Sequence, residues 1–249
     1  MIADGIFEFL QKNDFFEKDL PSDVGTPVHM EQTGNEDEDE QLHEYKGKLK
    51  NFYTQKISPK IGSIVMNCNP FTNGHRYLVK QALKQCDYLI VFVVEEDKSV
   101  FPFADRIELV RKSLADLKRV SVIPSGQFII STRTFKEYFN KESLQEHRID
   151  TSLDVTMFAK EIAPCLNISV RFAGEEPLDN VTRQYNENMA RLLPQYGIKF
   201  TEIPRMKYKG TPINASEVRR LAEARQFDKL KKLVPVPTLH YLRKTFPKT

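Results

Sequence analysis

Between Ile61 and Arg76 an apolar run, Ile61-Gly62-Ser63-Ile64-Val65-Met66, stops at a turn holding Asn67, Asn69 and Pro70 and gives way to Gly74-His75-Arg76. Leu78, Val79 and Ala82 follow at helical spacing. No other feature restricts the fold as much, because a strand that feeds a helix within a few residues needs a sheet with helices packed on it. The alternation continues to nearly the end of the chain. Strands are expected at Ile61–Met66, Tyr88–Val94, Val120–Pro124, Asn167–Ala173 and Ile198–Ile203. Helices are expected at Gly74–Gln85, Ala104–Leu117, Phe128–Asn140, Asp154–Ala163 and Val181–Leu193, with short ones at Ser216–Ala224, Phe227–Leu233 and Thr238–Thr245. Tyr88–Val94 is an almost unbroken apolar run, the mark of a strand covered on both faces. Strands separated by helical patterns give right-handed β-α-β crossovers, so the expected class is α/β with a doubly wound parallel sheet.

The first 58 residues read differently. Ile2, Ile6, Phe7, Phe9, Leu10, Phe15, Phe16 and Leu20 have spacings that suit one or two short amphipathic helices. From Pro21 to Glu44 the chain is polar, holds Gly25, Pro27 and Gly34, and runs through Glu36-Asp37-Glu38-Asp39-Glu40, a composition expected to form a flexible linker. Lys46–Lys56 is expected as a short basic helix. The expected organisation is a helical arm with an acidic linker over 1–58 and an α/β domain over 59–249.

Although the net charge is only +3, acidic residues crowd into positions 1–44 and the rest is basic. A basic domain suits a polyanionic ligand or is simply a solvated surface. Neither a nucleic-acid-binding motif nor an interleaving of aromatic and basic residues is present, so nucleic acid is not an expected partner. Apolar runs fall well short of the ~20 residues that span a bilayer, and Asp4 and Glu8 stand where a signal peptide carries positive charge; a cytoplasmic protein without membrane association is expected. Cys68, Cys86 and Cys165 lack metal-ligand or disulfide spacing and read as reduced thiols, and no metal-ligating residues are assigned.

The junction at Thr72-Asn73-Gly74-His75 carries chemistry. A helix N-terminus offers free backbone N–H groups and the positive end of the helix dipole, and glycine there removes a side chain that would hold a phosphate away. These four residues resemble the T/H-x-G-H signature of nucleotidyltransferases. Ile213-Asn214-Ala215-Ser216-Glu217-Val218-Arg219 resembles the I-S-x-S/T-x-x-R signature of the same superfamily. Ligands of an open parallel sheet bind at the carboxyl ends of its strands, near the switch in strand order. Thr72–His75, Gly174 and Asn214–Ser216 all leave strands by that edge.

Five segments, Ile61–Leu78, Phe92–Arg106, Ser125–Phe139, Arg171–Asn186 and Pro212–Arg220, together resemble the C-terminal nucleotidyltransferase domain of citrate lyase ligase. The resemblance implies a Rossmann-like HIGH-type nucleotidyltransferase fold. The implied activity is ATP-dependent adenylyl transfer to a carboxylate, as in ligation of acetate to the thiol of the citrate lyase acyl-carrier subunit, with AMP and pyrophosphate released. Asn214 replaces the first serine of the family's second motif, and residues 1–58 are shorter than the acyltransferase-like domain that precedes this one in the family.

From the resemblance, His75 and Arg219 are the expected catalytic residues. Asn69, Phe71, Thr72, Gly74, His75, Gly174, Ser216 and Arg219 are the expected contacts of the nucleoside triphosphate. Thr72 either meets a phosphate or orients His75, and Ser216 is a candidate N-cap. Gly174-Glu175-Glu176-Pro177 is either a nucleoside-contacting loop or a plain strand-to-helix turn. Arg106 and Arg133 either face substrate or make surface ion pairs. Asp97 and Asp105 could pair as acid and base, while His29, His43, His147 and His240 read as structural or exposed. Mg²⁺ is expected with ATP, held by the triphosphate. The alternative is a free-standing adenylyl- or cytidylyltransferase acting on a phosphorylated metabolite, since Thr72–His75 also resembles phosphopantetheine adenylyltransferase.

Overall fold

A computed structural model describes residues 36–53, 60–95, 99–131, 134, 151–177 and 179–247. The chain divides into two compact units, Met1–Glu44 and Tyr45–Thr249. In the larger one, five parallel strands form one sheet: β1 (Ile61–Met66), β2 (Tyr88–Val93), β3 (Val120–Pro124), β4 (Ile168–Gly174) and β5 (Lys199–Ile203). Their order is β3-β2-β1-β4-β5, so the chain winds outward from β1 in one direction and then in the other. The switch in strand order lies between β1 and β4, which is where such sheets bind ligands.

Both faces are covered. All six residues of β2 are buried, as its unbroken apolar run requires. One face packs Ile64, Met66, Val170 and Phe172 against Val79 and Ala82 of α2 (Asn73–Ala82) and Ile107, Val110 and Leu114 of α3 (Phe103–Leu114). On β1, Gly62 has a packing reason, since a Cβ there would lie 2.7 Å from the Phe172 ring and 2.9 Å from Cys86 Sγ. Beyond β5 come a two-stranded hairpin, β6 (Lys207–Tyr208) with β7 (Thr211–Pro212), and three helices. Those helices are α6 (Ala215–Glu223), α7 (Phe227–Leu230) and α8 (Val236–Thr245), and they close a second core around Phe101, Val218, Leu221, Leu230 and Leu242.

Three expectations need correction. Residues 36–44, expected in a flexible linker, belong to helix α1 (Glu36–Tyr53). Gly25, Pro27 and Gly34 all lie upstream, while acidic residues crowd the helix start and Lys50 its end, the polarity a helix dipole favours. The helix expected from Phe128 is absent over the described part: Gly126–Phe128 is a single 3₁₀ turn, Ile130 has φ of 50°, and positions 135–140 lie outside the described residues. The helix expected at Asp154–Ala163 is α4 (Ser152–Met157), passing into a π-helical turn at Phe158–Ile162 and a 3₁₀ turn at Ala163–Leu166. Pro164 opens that last turn and lacks the N–H that regular helix would use. The apolar set at Ile2–Leu20 lies outside the described residues.

Candidate active site

The turn that launches α2 is built from beneath by Arg106. It was expected either at substrate or in surface pairs, yet it is fully buried and spends its donors on carbonyls. Its Nη1 donates to Asn67 O at 2.8 Å, Asn67 Oδ1 at 2.9 Å and Val94 O at 2.7 Å, and its Nε to Phe101 O at 3.0 Å. Arg106 therefore ties the ends of β1 and β2 to the start of α3. Asn69 Oδ1 accepts from the Phe101 N–H at 3.2 Å, so Asn69 fixes the turn. Neighbouring Cys68 is buried with φ of 55°, and burial pushes its thiol well above the usual range, leaving it a protonated packing group.

Thr72 caps α2 reciprocally with His75. The Thr72 hydroxyl accepts from the His75 N–H at 3.3 Å, and His75 Nδ1 accepts from the Thr72 N–H at 2.9 Å. Of the two roles open to Thr72, the geometry supplies the orienting one. With Nδ1 committed as an acceptor, the imidazole is neutral and carries its proton on Nε2, as a donor. Burial, and the Arg205 guanidinium nearby, lower its pKa from 6.5 to about 4. The ring lies against Phe71, with centroids 5.5 Å apart, and Phe71 is itself fully buried. Phe71 thus supports His75 from the core.

Not every N–H at this helix start is free. Asn73 N donates to Leu233 O at 2.8 Å, and Asn73 Nδ2 to Lys232 O at 3.0 Å, so the segment between α7 and α8 is fastened to the site. With Thr72 and His75 engaged in the cap, the Gly74 N–H is the one at this end without a partner among the described residues. A Cβ on Gly74 would come 3.4 Å from Ile213 O and from Thr72 Oγ1. Glycine thereby keeps this corner open and lets the second motif approach.

That second motif meets the first directly. Arg219 Nη1 donates to the Asn69 carbonyl, and its Nη2 to Ser216 Oγ at 3.0 Å, bridging positions 150 apart in sequence. The N-cap of α6 is Asn214, whose Oδ1 accepts from Glu217 N at 2.7 Å; Ser216, expected as a cap, sits in the first turn instead. Asn and Ser cap about equally well, so the family's serine is replaced without losing the helix start. The N–H groups of Ala215 and Ser216 have no partner among the described residues.

Gly174 ends β4 at the same edge, where its carbonyl accepts from Asn186 Nδ2 at 3.0 Å and a Cβ would meet only Leu78, at 3.9 Å. Glu175 N–H pairs with Ile203 O at 3.0 Å, so this loop begins as an extension of the sheet. Glu176 is engaged by Arg205, a residue the sequence reading did not single out. Asp105 accepts from the Tyr241 hydroxyl at 2.8 Å, and His43 and His240 are exposed. Asp97, Arg133, His29 and His147 lie outside the described residues.

A buried polar cluster that no spacing announced sits under the sheet. Asp154 accepts from Ile130 N, Thr134 Oγ1 and Tyr185 Oη at 2.5–2.6 Å, while Arg171 stacks 4.5 Å from the Phe158 ring centroid. Burial raises the Asp154 pKa against the pull of those three donors. Among the described residues no cluster of three or more His, Cys, Asp or Glu could hold a metal ion, and no helix is long and apolar enough to cross a membrane.

A model of the citrate lyase ligase C-terminal domain matches residues 61–242. The citrate (pro-3S)-lyase ligase of Escherichia coli strain K12 is 44% identical over 229 residues, covering 90% of this chain and 63% of that protein. This chain therefore spans less than two thirds of that relative's length. A phosphopantetheine adenylyltransferase of Nautilia profundicola is 27% identical over 161 residues, 59% of this chain and 98% of that protein. Among solved structures, a pantoate-β-alanine ligase from Francisella tularensis aligns with a TM-score of 0.49 at 14% identity, over 75% of this chain and 77% of that one.

Proposed function

From the premise that this chain belongs to the citrate lyase ligase C-terminal domain family, we propose that it transfers the adenylyl group of ATP to a carboxylate. In this reading the acid is acetate, destined for the thiol of the citrate lyase acyl-carrier subunit. The observation that carries it is the convergence, at the switch in strand order, of donors without partners among the described residues: His75 Nε2–H and the N–H groups of Gly74, Ala215 and Ser216. Two helix starts and the Arg219 cation face one edge, and a polyphosphate is the ligand whose charge answers all of them.

The chemistry asks little covalent help of the protein. A carboxylate oxygen attacks the α-phosphorus, a P–O bond forms, and the bond from the α-phosphorus to the α,β-bridging oxygen breaks, so that pyrophosphate leaves with that oxygen and the electron pair. The carrier thiolate then attacks the acyl carbon of the mixed anhydride, and AMP leaves. An acid with an ordinary carboxyl pKa is already ionised at pH 7, so the first step needs no general base. Alignment and charge stabilisation remain for the protein to supply. In this reading Gly74 N–H and His75 Nε2–H donate to oxygens that gain charge, and Arg219 with Ser216 to the departing phosphates. Because the imidazole is neutral, it donates without first having to be protonated. Mg²⁺ would arrive with the triphosphate and neutralise part of its charge, as the described residues offer it no cluster of carboxylates.

The near-complete coverage of a phosphopantetheine adenylyltransferase supports a second reading, in which the acceptor is a phosphomonoester. Both readings are tested by measuring pyrophosphate released from ATP or CTP with acetate, other short acids, or 4′-phosphopantetheine. Acetate-dependent release from ATP, with acetyl hydroxamate formed on adding hydroxylamine, is the expected result. Release with phosphopantetheine and not with acids would replace the first reading by the second. On the first reading the protein is cytoplasmic and the carrier subunit is its protein partner.

A further inference from the structure

We propose that Arg205, held by Glu176, is a further phosphate-binding cation of this site; the ligand's identity rests on the reading above. Arg205 stands two residues beyond β5, at the sheet edge that also carries Gly74 and Gly174. Glu176, from the segment after β4, accepts from Arg205 Nη1 on both carboxylate oxygens, each at 3.0 Å. A purely structural Arg–carboxylate pair spends two nitrogens in a parallel fork. Here the carboxylate occupies one nitrogen and leaves the others available.

The remaining donors are underused. Nη2 reaches the Ile213 carbonyl at 3.5 Å, a long contact, and Nε has no partner among the described residues. The side chain is 23% exposed, so those N–H groups can be reached from outside. Ile213 O is also the backbone atom that a Cβ on Gly74 would approach to 3.4 Å, so Arg205 and Gly74 stand beside the same carbonyl. The guanidinium is close enough to His75 to depress its proton affinity. Arg205, Gly74 and His75 therefore border one space. A polyphosphate there would take up the idle guanidinium donors and relieve the repulsion between that cation and any charge on His75. Because Glu176 fixes the guanidinium beforehand, little side-chain freedom is lost when the anion arrives.

The test compares binding of sodium pyrophosphate and ATP by calorimetry in wild type, Arg205→Met and Glu176→Gln, with the His75 imidazole followed by NMR. Arg205→Met should weaken pyrophosphate and ATP binding by about tenfold or more, the loss expected of a charge-assisted contact. It should also raise the His75 pKa, which loss of a latch alone would not do. Unchanged pyrophosphate affinity, or a His75 pKa that does not move, would overturn the assignment. If Arg205→Met does not fold, Glu176→Gln decides: with the competing negative charge gone and an acceptor retained, pyrophosphate should bind more tightly, and weaker or unaltered binding refutes the proposal. Wild-type protein that binds pyrophosphate but never releases it from ATP would sink adenylyl transfer and leave Arg205 to be judged by binding.

Discussion

The Thr72 N–H aimed at His75 Nδ1 decides the chemistry of the imidazole, because a second proton would set two donors face to face at 2.9 Å. The neutral ring is thus enforced by a backbone group as well as by burial and Arg205. In the folded chain His75 should titrate near pH 4, against 6.5 when unfolded. Between those values the unfolded chain binds a proton that the folded chain refuses, so this residue's contribution makes stability fall as pH drops through that window and leaves it unaffected above. Imidazole NMR shifts give the pKa, and a value near 6.5 would show that the cap does not hold. His75→Ala should lower turnover by roughly 10²–10³-fold, the scale for removing one transition-state donor, with pyrophosphate release as the assay. The four-residue motif made Thr72, Gly74 and His75 legible in the sequence. Arg205 was not, because it joins the site through Glu176 and Ile213, contacts that only the folded chain creates. Arg106 was visible but its role was not, since nothing in local sequence separates a guanidinium binding phosphate from one binding buried carbonyls.

At the scale of elements, strands and helices with their own strong pattern were legible, and those that depend on distant partners were not. The five strands and α2, α3 and α5 (Asn180–Leu192) follow their apolar spacing. The second half of helix α1 overlaps the basic helix expected at Lys46–Lys56, and its first half hid because an acidic run at a helix start has the same composition as a solvated linker. Its second half is fixed by tertiary contacts: Leu49 is 4% exposed, the Tyr45 hydroxyl donates to Pro124 O at 3.0 Å, and the Tyr45 ring lies 5.6 Å from that of Phe128. Gly126, at φ of 60°, fits beneath that ring, where a Cβ would lie 3.0 Å from it. The segment leaving β3 is therefore held by α1, and residues 45–53 belong with the sheet and not with the arm. Leu49→Ala should cost about 2–5 kcal/mol, as for other buried leucines. A chain starting at residue 59 should likewise melt several degrees below one starting at residue 45, by thermal denaturation. Equal melting temperatures would restore the boundary expected between residues 58 and 59.

Across the whole molecule, the order β3-β2-β1-β4-β5 performs the assembly. It sets the launch of α2 from β1 beside the ends of β4 and β5, and the chain leaving β5 then needs only a short hairpin to bring α6 to the same edge. The sequence revealed the order of the motifs, while their meeting is a property of the fold, made concrete by Arg219 bonding to the Asn69 carbonyl. That bond also leaves two roles to separate, since a guanidinium tied to a carbonyl could be a tie between motifs or a phosphate ligand. If Arg219 meets the β- and γ-phosphates, Arg219→Ala should weaken ATP binding far more than AMP binding, because AMP lacks those groups. A hydrogen bond to a charged group is worth about 1.5–3 kcal/mol, which sets the ATP loss at roughly 10- to 150-fold. If Arg219 only holds the turn at Asn69 in place, the same substitution disturbs Thr72–His75 and the α-phosphate contacts that ATP and AMP share. Calorimetric titration of the variant with both nucleotides separates the two, and equal losses would reassign Arg219 from the nucleotide to the scaffold.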